Sequence, residues 1–413
     1  MTNVPEIRFN GFTDAWGQCK LGEVVEKLKS YSLSRDVETK EATGYRYIHY
    51  GDIHKQVADI VTRDEQLPNI KVGNYIPITQ DDLVLADASE DYTGIAEPCV
   101  VLHTPKDKII AGLHTIAIRP INTSPLFLYN LFHTDGFKKF GAHVGTGLKV
   151  FGITFTNLSQ YDLNTPSLPE QTSIGSFFNM LDKCIAINQR KYDSLKKLKA
   201  AYLQQMFPQA GEKVPRVRFE GFTGDWNEVK LGEVAELSSS KRIHVSDYVS
   251  AGVPFYRGSE VSMGGVSQNN DLFISKKLYD DIKEHYGVPM KGDLLITAVG
   301  TLGNIWKVDN RQFYYKDGNL IRLSSLGVEA DFLIAYLMDG QGKKKILDSA
   351  AGSSQKALTM VKLNEVEFFA PTMPEQVAIG NFFRNLDVQI ETQSEKMEKL
   401  KQLKTAYLQK MFI

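Results

Sequence analysis

The chain has 413 residues, 42% of them hydrophobic and 23% charged, with a net charge of −1. This profile excludes a disordered or fibrous chain and argues against a dedicated DNA-coating protein, which would be strongly basic. No apolar run approaches the roughly 18 residues of a membrane span, no apolar signal region opens the chain, and three scattered cysteines without metal spacing fit a reducing cytoplasm.

The chain opens with "VPEIRFNGFTDAWGQCKLGEV" from Val4 to Val24. A body of about 140 residues follows, in which short apolar or alternating runs predict strands at Tyr45–His49, Leu83–Ala86 and His114–Ile118. A short helix is expected at Pro125–Thr134, and Ala88–Gly94 reads as a surface loop. From Leu168 to Phe207 the positions of a mostly apolar seam recur at steps of four and three: Ile174, Phe178, Leu181, Ile185, Asn188, Tyr192, Leu195, Lys199, Tyr202 and Met206. That is the 3.5-residue period of a coiled coil. Pro169 and Glu170 suit a first helical turn, and the helix stops before Pro208.

At Val214 the chain starts again with "VPRVRFEGFTGDWNEVKLGEV". The second body predicts strands at Phe255–Arg257, Leu294–Thr297 and Leu320–Leu323, a helix at Ala330–Asp339, and loops at Met263–Asn270 and Val299–Asn304. It closes on a second long helix, with the seam Ile379, Phe383, Leu386, Ile390, Gln393, Met397, Leu400, Lys404, Tyr407 and Met411. The openers match at an offset of 210 residues, and the closing helices at 205 through Pro-Glu-Gln, Ile-Gly-x-Phe-Phe, Leu-Asp and Ala-Tyr-Leu-Gln-x-Met-Phe. The bodies match only faintly, with Tyr129, Gly145 and Lys149 placed on Tyr336, Gly352 and Lys356.

The chain therefore reads as two copies of one unit. The expected fold is α+β: two pseudo-twofold-related mixed α/β domains (1–168 and 209–373) separated by two long antiparallel coiled-coil helices (169–208 and 374–413). Thirty-six helical residues would span roughly 54 Å. Ile174, Phe178, Leu181, Ile185, Leu195, Tyr202, Ile379, Phe383, Leu386, Ile390, Leu400 and Tyr407 are the expected packing residues, widened by Phe177, Leu198, Phe382 and Leu403. Asn188 and Gln393 interrupt the seam, either as buried residues that fix register or as solvated ends. An ordinary helix pair inside one core is the alternative.

Cations beside aromatics and amides are what a nucleic-acid surface needs. They occur in "YRYIHYGD" (Arg46, Tyr47), "SSSKRIH" (Lys241, Arg242), "FYRGSE" (Tyr256, Arg257), "GTGLK" (Thr146, Lys149) and "GSSQK" (Ser354, Gln355, Lys356). Taken singly, each reads more readily as solvated surface than as a contact; the matched placement of Gly145/Lys149 and Gly352/Lys356 favours the last two. Lys138-Lys139 and Lys343-Lys344-Lys345 could meet phosphates. No GxxxxGK[ST] loop, GxGxxG turn, GxSxG elbow, methyltransferase Asp/Asn-Pro-Pro-aromatic motif or metal-ligand spacing is present, so no catalytic residue and no metal site is expected.

The twice-used opener "RFxGFTxxW…KLGEV", the twice-used "PEQ…IGxFFxxLD…LKxAYLQxMF" helix, "ASEDYTGIAEP" and "DLLITAVGTLG" together resemble the specificity subunits of Type I restriction–modification systems, over the whole chain. The resemblance implies two target-recognition domains, each reading half of a bipartite double-stranded DNA target. It implies helices that set the spacer and dock two modification subunits, which carry S-adenosylmethionine. Restriction subunits, with ATP and Mg, are expected to complete the complex. This chain itself is expected to be non-catalytic, without a cofactor, cytoplasmic and free of the membrane. Two alternatives are a scaffold holding two non-DNA ligand domains and an enzyme with an unrecognised site.

Overall fold

The computed structural model describes the chain except residues 1–3, 92–93, 148–149, 263–264, 268–269, 339 and 352–355. It folds as two compact units. The first comprises Met1–Gln189 and Lys396–Ile413, and the second Arg190–Glu395. Each unit thus draws on both sequence halves, and the closing helices α1 (Leu168–Gln205) and α2 (Met373–Met411) each contribute residues to both.

In the first unit a five-stranded sheet runs in the order Val25–Lys27, Thr115–Pro120, Leu83–Ala86, Pro98–Val101, Ile60–Val61. All joints are antiparallel except the last. Leu83–Ala86 is buried throughout because both faces are covered. Leu83 and Leu85 face the cluster built on Phe127, Leu128 and Phe178, whereas Val84 and Ala86 face one built on Ile53, Ile109 and Val101. That is the period-2 alternation of a strand with two apolar faces. A separate parallel pair joins Tyr45–Ile48 to Lys108–Ala111.

The second unit repeats the plan with four antiparallel strands: Glu236–Ser238, Leu320–Ser324, Leu294–Thr297 and Ile305–Lys307. A small sheet again carries a parallel joint, between Val253–Tyr256 and Tyr314–Tyr315. Each predicted strand is present within two residues of its expected bounds, and the expected helices occupy Pro125–Leu131 and Ala330–Met338. Among the helices without a clear sequence signature are Asp135–Val144, Lys276–His285 and Gly340–Asp348.

The repeated motifs account for the repeated frame. Arg8 Nε and Nη2 donate to Glu170 Oε1 and Oε2 at 2.6 and 2.7 Å, and Arg218 makes the same two bonds to Glu375. Both glutamates are buried. The neighbouring glutamine tethers the body: Gln171 Oε1 accepts from Ser124 N, and Gln376 Oε1 from Glu329 N. Each opener also bonds to a helix end, Ile7 N to Lys410 O and Val217 N to Gln205 O, both at 2.9 Å. The final phenylalanines fill the cores: Phe412 stacks on Phe127 in the first unit, and Phe207 on Phe383 in the second.

Within each unit the two helix segments run antiparallel. Phe177 meets Tyr407 edge-on at 5.2 Å, and Asp182 pairs with Lys404 at 2.6 Å. In the second unit Tyr202 meets Phe382 at 5.0 Å, and Lys199 pairs with Asp387 at 2.5 Å. All ten seam positions of each helix are buried or half-buried, the twelve named packing residues among them. Asn188 and Gln393 are 9% and 5% exposed, so neither is a solvated end. Phe177 and Phe382 widen the stripe by packing on Phe9 and Phe219, but Leu198 and Leu403 are exposed and do not.

Candidate nucleic-acid interface

In the first unit three loops meet through backbone hydrogen bonds. Asp87 N donates to His114 O at 3.0 Å, and Ile153 N donates to Asp87 O at 2.8 Å. Ala88–Ser89 then pairs with Phe151–Gly152, which bonds in turn to Thr146. The signature stretch from Ala88 and the loop beginning at Gly145 are thereby brought side by side.

The second unit has the same junction. Ala298 N donates to Asn319 O at 2.8 Å, Leu358 N donates to Ala298 O at 2.9 Å, and Ala351 pairs with Ala357. This correspondence revises two placements made from sequence. Thr146 answers to Ala351, which puts Gly145 on Ala350; Gly352 itself lies outside the described residues. The tethers at Ser124 and Glu329 put Tyr129 on Ile334, not on Tyr336.

A fourth segment lies beside each junction. Gly112 N donates to Ile48 O and Lys316 N to Tyr256 O, both at 2.8 Å; Asp52 N donates to His49 O and Glu260 N to Arg257 O. His49-Tyr50-Gly51-Asp52 therefore occupies the place of Arg257-Gly258-Ser259-Glu260. The closing acid is buried in both, and it holds an arginine in both. Asp52 accepts from Arg35 at 2.7 and 3.1 Å, and Glu260 from Arg257 at 2.6 and 3.0 Å. A β-carbon on Gly258 would lie 3.5 Å from Asn319 O and Val299 O, which sets the two loops against each other.

On this common backbone the side chains differ. In the first unit Tyr50 packs against His49, His54 and His114 with ring centroids 4.6, 5.9 and 5.3 Å apart. His114 Nδ1 lies 3.2 Å from Asp87 Oδ1 and His54 Nε2 lies 2.8 Å from Ala88 O. His49 Nδ1 accepts from Gly51 N. Burial, then Arg35, holds the His49 pKa below the ordinary histidine value, which favours the neutral ring. Burial raises the Asp87 carboxyl, against the pull of His114. In the second unit the matching positions carry Arg257, Gly258, Ala298 and Asn319. One junction thus offers imidazoles, a phenol and a carboxylate, and the other a guanidinium and an amide. These are different hydrogen-bonding vocabularies for base edges.

The residues singled out from sequence fall unevenly around the junctions. Tyr47 is fully buried, with its hydroxyl donating to Glu38 at 2.8 Å, and Tyr256 lies in the core with Trp306 and Phe313. Neither ring presents a face to a duplex, because these strands are covered on both sides. Arg46 is engaged internally by Asp107 and Leu67 O. Arg257 sits at the junction but is paired with Glu260 and Asp271. Arg242 pairs with Asp317, two residues before Asn319, while Lys241 bonds Tyr286 and stands apart. Thr146 and Lys356 are exposed on the junction loops. Lys149, Ser354 and Gln355 lie outside the described residues. The helices Asp135–Val144 and Gly340–Asp348 lead into those loops and expose Lys139 and Lys344 at matching positions. His49, Tyr50, Asp87, His114 and Asn319 were not picked out. No group of side chains among the described residues could hold a metal ion, and no helix among them is long and apolar enough to cross a membrane.

The family model for the Type I restriction modification DNA specificity domain matches residues 13–197 and again 223–402. The chain belongs to that family and is a specificity subunit of a type I restriction–modification system, the class whose members recognise DNA and carry no catalytic centre. The MjaVIII specificity subunit of Methanocaldococcus jannaschii is 20% identical over 422 residues, spanning 97% of this chain and 93% of its own. A type I specificity subunit of Haemophilus influenzae is 28% identical over 197 residues, 47% of each chain. The crystal structure of an S subunit from M. genitalium has the same fold, with a TM-score of 0.64 at 15% identity over 99% of both chains. A chain from a study of complex assembly and conformational transition of the type I system matches with a TM-score of 0.51 at 20% identity, over 97% of this chain and 98% of that one.

Proposed function

We propose that each unit reads one half of a bipartite double-stranded DNA target at its three-loop junction. The observation that carries this reading is the pair of matched junctions: one backbone, held by the same hydrogen bonds, bearing chemically different side chains. Two such surfaces would read two different half-sites. Lys139 and Lys344, beside the junction loops, are suited to phosphates, which position a protein without specifying sequence.

In this reading the two helices set the spacer and dock two modification subunits, which bring S-adenosylmethionine. Restriction subunits with ATP and Mg complete the complex, and the assembly works in the cytoplasm, where its DNA is. The near-neutral charge fits a subunit whose partners supply much of the phosphate contact. Domain limits of 1–168 and 209–373, with helices 169–208 and 374–413, describe the reading and spacing parts in sequence terms.

The test is the methylated-adenine motif of cells carrying His114→Ala or Asn319→Ala. Each lost base contact costs about 1–3 kcal/mol of discrimination. His114→Ala should relax one half-site and Asn319→Ala the other. Changes in both halves from either variant, or in neither from both, would overturn the assignment.

A further inference from the structure

The two units differ on the sheet face that does not pack on the long helices. Leu83 pairs with Ile118 and Leu294 with Leu323, so Ala117 answers to Arg322. Lys27 lies opposite Ile118 and Leu237 opposite Leu323, so Leu28 answers to Ser238, and the same count carries Tyr31 onto Lys241. In the first unit these positions are apolar or already engaged. Ala117 and Leu28 belong to the cluster with Ile53 and Ile109. Tyr31 packs edge-on against Tyr75 at 5.0 Å, and its hydroxyl accepts from Ile76 N at 2.8 Å.

In the second unit the same three positions border a pocket of about 280 Å3. Its polar lining is hydroxyls, from Ser238 to Ser240 and from three tyrosines, with the cations Lys241 and Arg322; no carboxylate lines it. Arg322 Nε donates to Asp293 at 2.7 Å, but its Nη nitrogens make no hydrogen bond among the described residues. A β-carbon on Gly287, which also lines the pocket, would lie 3.9 Å from Arg322 Nη1, so that end of the guanidinium borders the pocket. The Arg322 side chain is only 18% exposed, and donors so placed call for an acceptor from outside the chain. Lys241 Nζ donates to the Tyr286 hydroxyl at 2.6 Å and sits 4.0 Å from the ring centroid. The ring holds the ammonium in place without neutralising it, since Lys241 makes no ion pair among the described residues. Lys241 and Arg322 against Asp293 leave one net positive charge. The pocket is smaller than the roughly 300–1,000 Å3 of sites that enclose whole small molecules, and it suits a single tetrahedral oxyanion.

The pocket flanks the junction. Arg322 stands three residues beyond Asn319 along the strand Leu320–Ser324, roughly 10 Å away. Arg242, next to Lys241, donates to Asp317 in the turn that leads to Asn319. We propose that this pocket holds one backbone phosphate of the DNA beside the half-site of the second unit, with Lys241 as its counter-charge, a placement that rests on the reading of DNA at the junction. At about 3.4 Å per base pair along the duplex, that phosphate lies about three base pairs from the base that meets Asn319. The first unit has no such site, so the two half-sites are gripped unequally.

The test uses the methyltransferase complex assembled on this chain, titrated with duplex DNA by fluorescence anisotropy over a range of salt. Lys241→Gln, at an exposed position, should lower the slope of log affinity against log salt by about 0.9. Between about 50 and 200 mM salt the variant should then lose about 3.5-fold less affinity than the parent. Lys241→Arg should restore the slope, and neither variant should alter the methylated motif, because a phosphate contact carries no base information. A scan with neutral methylphosphonates should find one position, about three base pairs from the base released by Asn319→Ala, that weakens the parent and not Lys241→Gln. No position in the first half-site should behave in this way. An unchanged slope, a changed motif, or no such position would overturn the proposal. Binding of inorganic phosphate to the intact chain that depends on Lys241, with the DNA slope unchanged, would assign the pocket to a free anion and overturn it as well. The slope requires only duplex DNA, whereas the junction is judged by the motif of Asn319→Ala, so the two readings can fail separately.

Discussion

Arg8→Ala is the sharpest test of how the openers hold the units together. The substitution leaves the Glu170 carboxylate 1% exposed and without its guanidinium. Stranding one member of a buried pair costs about 3–5 kcal/mol. Arg8 keeps 15% of its side chain in solvent, so the lower end, about 3 kcal/mol, is expected. A unit of this size shifts by about 2–4 °C per kcal/mol, which gives a fall of roughly 6–12 °C in Tm for the first unit. Urea titration gives the magnitude, and hydrogen exchange gives the place. Amides around residues 7–12 and the first turns of α1 should lose protection, while those around 217–222 keep theirs. The double variant Arg8→Met/Glu170→Leu should recover most of the loss, because a hydrophobic pair needs no compensating charge. A cost below about 1 kcal/mol, or equal loss of protection around 217–222, would refute the view that this ion pair anchors its own unit. Arg218→Ala should cost at least as much, since Arg218 also donates to Gly224 O and Thr223 O.

Phe412→Ala should destabilise the first unit and Phe207→Ala the second, each by about 3–5 kcal/mol, read from urea midpoints with hydrogen exchange locating the loss. Lys404→Met should cost more than Lys199→Met: Asp182 is 22% exposed and Asp387 52%, so the first loss should be about 1–3 kcal/mol and the second below about 1. The His49 pKa is lowered in the fold by burial and by Arg35, against Asp52 and Glu38. As pH falls through the ordinary histidine range near 6.5 the unfolded chain takes up a proton that folded His49 refuses, so the first unit loses stability toward acid. His49→Gln, which keeps an acceptor for Gly51 N, should flatten the stability profile below about pH 6.5; an unchanged slope would contradict a neutral His49.

The frame was legible because its determinants are local and repeated. A 3.5-residue period specifies a seam whatever it packs against, and the openers announce themselves by recurring. The junctions were not legible in the same way. Their side chains come from positions 49–50, 87 and 114 in one unit and 257–258, 298 and 319 in the other, brought together only by sheet pairing. A search for cations beside aromatics selects Arg46 and Tyr47, yet strand Tyr45–Ile48 is covered on both faces and the residues that reach the junction are His49 and Tyr50, just beyond its end. A signal did exist. Aligning Asp82-Leu83-Val84-Leu85 on Asp293-Leu294-Leu295-Ile296 carries Asp87 onto Ala298, a pair of opposite character just past a matched strand.

The division of labour between frame and junction follows from where each keeps its energy. The openers and helix ends rely on buried side chains: two arginine–glutamate pairs, two glutamine tethers and two terminal phenylalanines. These positions tolerate little change, and the two halves carry the same residues there. The junctions are held instead by main-chain bonds, Asp87 N to His114 O in one unit and Ala298 N to Asn319 O in the other. A main-chain bond is indifferent to the side chain that grows from it. Aspartate can stand where the other unit has alanine, and histidine where it has asparagine, without altering the path of the loops. The buried acid at Asp52 or Glu260 does the same for its neighbours, fixing the turn while the residue two places before it is tyrosine in one unit and glycine in the other. A surface built this way can change what it recognises at little cost in stability, and one chain can carry two such surfaces on one scaffold.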